Sequence, residues 1–156
     1  MPRSGSDAAA SLVADARGTG TIATATEDAA ALRSTHGASI ATEAQATIAA
    51  WLAVDLEVSA VIGRRGTAAV LQRALMVTRR MHRWMPEPSV DASLDACVRA
   101  LGDALAGQAP EDSGAGQQAL ETAFHDLLSS LVGGALTTQL LHTARTAGRT
   151  RIEPAP

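Results

Sequence analysis

Between positions 42 and 145 the apolar residues recur about once per helical turn, in four separate stretches. In the first, over 42–62, Ile48, Trp51, Leu52, Leu56, Val58 and Ile62 fall on one broad arc when each residue is turned by about 100°. In the second, over 67–85, Val70, Leu71, Ala74, Leu75, Val77, Met81, Trp84 and Met85 share a side opposite Arg73, Arg79, Arg80 and Arg83. A third stripe of Leu94, Cys97, Val98, Leu101 and Leu105 predicts a helix over 90–106. The fourth helix, over 117–145, presents Leu120, Phe124, Leu127, Leu128, Leu131 and Ala135.

Glycine and proline punctuate these stretches. Gly63 is suited to a left-handed stop, and 63–66 reads as a tight turn between the first two helices. Pro86 and Pro88 end the second helix, and Ser89 or Asp91 can cap the third. The segment 107–116, with Pro110, Glu111, Asp112, Ser113 and several glycines, predicts a flexible connection, and Gly133-Gly134 a kink. Residues 1–40 are rich in Ala, Ser, Thr and Gly, with few large apolar groups to offset the entropy of ordering. Short helices over 7–17 and 25–34 are expected there, interrupted by Gly18, Gly20 and Gly37, in a segment that is partly flexible. The expected organisation is this segment, a bundle domain over 41–146 and a flexible tail over 147–156. The fold class is all-α: an antiparallel bundle of four main helices with one or two weaker N-terminal helices. No internal repeat stands out at solenoid periods.

Composition narrows the picture. At 156 residues, 46% hydrophobic and 19% charged, the chain can bury one core. With two Trp, one Phe and no Tyr, packing falls to Ala, Leu, Val, Ile and Met, which suits closely approaching helices. All 13 basic residues are Arg, with no Lys or Asn, a bacterial-like bias of composition rather than a phosphate-binding signature. A net charge of -3 gives no global attraction to nucleic acid or anionic lipid. The longest uncharged run, 127–144, is interrupted by Thr, Ser, Gly, Gln139 and His142, and reads as part of a soluble protein. The lone Cys97 precludes an intrachain disulfide, and the opening residues lack a signal-peptide pattern, so the expected location is cytoplasmic.

Three groups of residues could carry chemistry. Arg64, Arg65, Arg73, Arg79, Arg80 and Arg83 form a basic face able to pair with oxyanions. The following segment, 87–126, carries Glu87, Asp91, Asp95, Asp103, Glu111, Asp112, Glu121 and Asp126 against only Arg99. Charge complementarity across the hairpin therefore explains the arginines more simply than nucleic acid does. Asp55 projects into the apolar arc and needs a partner, because burying a lone carboxylate costs several kcal/mol. Arg64, Arg65 and His82 are the candidates, and an Asp55–His82 pair would be a polar clamp or a pH-sensitive element.

His125 lies in the stretch Phe124-His125-Asp126-Leu127-Leu128-Ser129-Ser130-Leu131. Over 125–131 this resembles the phosphoacceptor box of sensor histidine kinases and related phosphotransferases, where a helical His precedes an acid and then Leu, Ser and Leu positions. Leu128 stands where a basic residue is usual and Ser130 where Pro is common, and no ATP-binding glycine boxes follow. The resemblance implies His125 as a phosphoacceptor. His36, His82, His125 and His142 lack the paired spacing of a zinc site, and neither metal nor cofactor is expected. Without a phosphate loop or a recognisable nucleophile motif, the expectation is a non-enzymatic regulatory or protein-interaction domain involved in signalling. Leu136, Leu140 and Leu141, near the end of the long last helix, suggest a homodimer. Phosphotransfer through His125 is the alternative, and nucleic-acid binding through the Arg face the third.

Overall fold

A computed structural model of the chain describes residues 19–152, with side chains over 25–150. Among the described residues every regular element is a helix: α1 (Thr19–Thr78), α2 (Leu94–Ala106), α3 (Pro110–Val132) and α4 (Gly134–Ile152). The fold is all-α. The chain divides into two units, Met1–Ser39 and Ile40–Pro156. In the first, the described residues belong to the opening of α1, and those over 25–39 are exposed. The helix passes through Gly37 without a break, so the pattern over 25–34 is part of α1 rather than a separate helix. One glycine costs about 1 kcal/mol relative to alanine, and the alanines around it favour the helix. The expected helix over 7–17 and the tail over 153–156 lie outside the described residues.

The second unit is shaped by two glycines. Gly63 (φ 76, ψ 157) and Gly133 (φ 92, ψ 148) are the positive-φ glycines among the described residues, and each sits between two helical runs. This is not the left-handed helical stop expected at Gly63. Its ψ is extended, a region open essentially to glycine alone, and one such residue redirects the chain while the next turn of helix starts at once. Positions 64–66 are accordingly helical rather than a turn. Four residues beyond each glycine a fully buried threonine hydroxyl donates to the glycine carbonyl, Thr67 to Gly63 at 3.1 Å and Thr137 to Gly133 at 3.0 Å.

Other boundaries differ from the periodicity for local reasons. α1 ends at Thr78 rather than Met85. The chain tightens there through bonds from Arg80 N to Val77 O and from Met81 N to Thr78 O, three residues apart. Pro86 also disfavours helical geometry at Met85. The shortened helix leaves Trp84 and Met85 to fold over α3 at Gly116, where any β-carbon would collide with the indole. Ser93, not Ser89 or Asp91, caps α2, its hydroxyl accepting from Ala96 N at 3.3 Å. α3 starts at Pro110 within the expected flexible connection, because proline at a first helical position gives up no hydrogen bond and Glu111 and Asp112 favour the helix N-terminus. α4 continues to Ile152, past the expected end at 145.

The core joins Trp51, Val58, Val70, Leu71, Leu75, Met85, Leu94, Cys97, Val98, Leu101, Leu105, Leu120, Phe124 and Leu128. Trp51 and Phe124 meet edge to face with centroids 5.1 Å apart, linking α1 to α3. Gly102 lets α2 approach α1 closely, since a β-carbon there would lie 2.5 Å from Ile48 Cδ1. By length and composition α1 is apolar enough, between Ala25 and Thr78, to cross a membrane. The same helix supplies Trp51, Val58, Leu71 and Leu75 to this core.

Candidate functional site

α1, α3 and α4 border a cleft of about 630 Å³. Its α1 side is built from Ala46, Thr47, Ala50, Trp51 and Val54, which recur at helical spacing on one face. α3 adds Gln117, Glu121, Phe124 and His125, and α4 adds Leu141, Ala144, Arg145, Gly148 and Arg149. The Trp51–Phe124 pair is almost wholly buried, while Ala46 and Ala50 are exposed. Gln117 donates to the Thr47 hydroxyl and ties α3 to α1. Arg145 and Glu121 form an ion pair at 3.5 Å between α4 and α3.

His125, the candidate phosphoacceptor, lines this cleft with its side chain 43% exposed, and its Nδ1 lies 3.5 Å from Asp126 Oδ1. The sequence does not show the cleft directly, because its lining residues are dispersed over three helices. Small residues recurring on one helix face were the available signal.

Asp55 is buried on α1 beside the Gly63 break. It accepts a hydrogen bond from Ser59 Oγ, which lies 3.1 Å from Thr67 Oγ1. Arg64 reaches both Asp55 Oδ2 and Asp95 Oδ2 at 3.6 Å. Of the three partners the sequence offers, the structure places Arg64 at the carboxylate. His82 lies elsewhere, edge-on to Trp84 with ring centroids 6.2 Å apart.

A second copy of this arrangement escapes a search at solenoid periods. Ser59, Val61, Ile62, Gly63 and Thr67 match Ser129, Leu131, Val132, Gly133 and Thr137 in spacing. His125 then stands where the first copy has Asp55. Ser129 Oγ, the counterpart of Ser59 Oγ, is buried with no hydrogen-bond partner among the described residues.

The basic face is divided. Arg79 pairs with Glu87 at 2.9 Å and Arg64 with Asp95, whereas Arg65, Arg73, Arg80 and Arg83 carry no ion pair among the described residues. Cys97 is buried, and burial raises its thiol pKa above the ordinary value while a hydrogen bond from Gln72 works in the opposite direction. His36 and His142 are exposed, and no group of three metal-ligating side chains occurs among the described residues. No protein-family model, curated protein or solved structure matches the chain.

Replacing Asp55 by Ala removes the acceptor of Ser59 and should lower stability by about 1–3 kcal/mol. Arg64→Gln should cost less than about 1 kcal/mol, because that side chain is 73% exposed. Urea unfolding measures both. Equal losses would mean that the ion pair, not the buried hydroxyl cluster, holds this corner.

Proposed function

We propose that the chain is a non-enzymatic regulatory or protein-interaction domain, an antiparallel helical bundle that works as a homodimer in the cytoplasm. The observation that carries this reading is apolar surface left outside the core. Met76 and Met81 are 53% and 77% exposed, and Val77 beside them is also exposed. Met76 and Val77 lie in the last turn of α1 and Met81 in the turn that follows, among Arg73, Arg80 and Arg83. Exposed thioethers of this kind adapt readily to a partner surface.

A second copy suits this stretch by charge. Asp91, Asp103, Glu111 and Asp112 are exposed and carry no ion pair among the described residues, so a neighbouring chain can offer acids to the free arginines. Of Leu136, Leu140 and Leu141, the last two pack against the core and Leu136 is exposed, so they supply little of such a surface. The reading of α1 as a bundle helix rather than a membrane span is supported by Asp55 and Glu57 within it, and by the place of Trp51 and Val58 in the core.

Size-exclusion chromatography with light scattering should give the mass of a dimer, and the double variant Met76→Glu, Met81→Glu should give that of a monomer. A monomer at high concentration in the unaltered protein contradicts the reading. A second reading, phosphotransfer, is favoured by the half-exposed imidazole of His125 beside Asp126. Incubation with a phosphorylated receiver protein should then label the wild type and not His125→Ala. Equal labelling of the two proteins disposes of it.

A further inference from the structure

We infer that the cleft between α1, α3 and α4 binds a small amphipathic anion: an apolar, ring-sized body carrying one carboxylate or sulfonate. Its volume of about 630 Å³ lies within the range of small-molecule sites. Four of its lining residues are small, Ala46 and Ala50 of α1 and Ala144 and Gly148 of α4, and longer side chains at the exposed Ala46 and Ala50 would take up its space. Behind them stand Trp51 and Phe124, held edge to face, so the wall is stiff and apolar.

The charge of the lining selects the ligand's sign. Glu121 is engaged by Arg145 at 3.5 Å. Arg149 lies one helical turn beyond Arg145 on α4, and it has no acidic partner among the described residues. Among the described residues the cleft therefore holds one guanidinium without an acidic partner, exposed at the edge of an apolar wall. A guanidinium fork pairs two-pronged with a carboxylate, and it does so more strongly beside apolar walls than in open water. A cationic or purely apolar ligand gains nothing from it. Met76 and Met81 do not line the cleft, so the inference stands apart from self-association.

The test uses anilinonaphthalene sulfonate, an apolar dye with one anionic group, and its neutral analogue phenylnaphthylamine. Dye fluorescence should show saturable binding of the sulfonate to the full chain. Arg149→Gln should weaken the sulfonate by about threefold to fivefold and leave the neutral dye unchanged. Ala50→Phe, which fills the cleft from an exposed backbone position, should weaken both dyes. The double variant Met76→Glu, Met81→Glu should bind as the wild type does, and thermal melts by circular dichroism show that each variant folds. Absence of saturable binding overturns the inference. So does unchanged sulfonate affinity in either cleft variant, or loss of binding in the methionine variant.

Discussion

The second unit of this protein depends on two residues whose backbone geometry is closed to side chains with a β-carbon. On an unbroken helix Trp51 and Leu75 would stand about 36 Å apart, too far to share an interior. Both belong to one core, because Gly63 redirects α1 between them. Gly133 does the same between α3 and α4. At each break a single extended glycine replaces a loop, and the threonine one turn later returns its hydroxyl to the glycine carbonyl. The bend is thus held by backbone geometry on one side and by a buried hydrogen bond on the other.

The two breaks share a pattern but have different surroundings. Around Gly63 the polar groups are complete: Thr67, Ser59 and Asp55 form a connected set, and Arg64 joins Asp55 to Asp95 near the start of α2. Around Gly133 the same frame carries His125 in place of the acid and leaves the Ser129 hydroxyl without a partner among the described residues. The first copy reads as a structural corner. The second turns its titratable residue toward the cleft, whose other walls come from the face of α1 that bears Trp51 and from the end of α4. The proposed ligand site therefore depends on the second bend, from which α4 starts.

Much of the interior was legible in the sequence. Trp51, Val58, Leu71, Leu75, Leu101, Phe124 and Leu128 were all placed on apolar arcs, and all are buried, because helical periodicity reports burial wherever a helix packs on one side. Leu56, Val77, Met81 and Leu131 lie on the same arcs yet are exposed. A projection cannot see where a neighbouring helix stops or where its own helix ends: Leu131 lies two positions before Gly133, and Met81 lies beyond the end of α1 at Thr78. Helix ends were harder for a similar reason. Pro110 was read as a loop residue, whereas its position at the start of α3 makes it a helix initiator. The partner of Asp55 could be narrowed to three residues but not chosen, since the choice depends on the direction taken after Gly63. The cleft was invisible because it is an absence of side chains shared by three helices.

The central claim is that the bends at Gly63 and Gly133 are required by the fold and held by geometry that only glycine accepts. Urea unfolding of Gly63→Ala and Gly133→Ala, compared with Gly37→Ala, tests it most directly. Gly37 is helical with open space around it, so alanine there should leave stability unchanged or raise it by up to about 1 kcal/mol. Alanine at either bend should lower stability by about 1–3 kcal/mol. Variants at 63 and 133 that unfold at the same urea concentration as the wild type, or higher, would contradict the account.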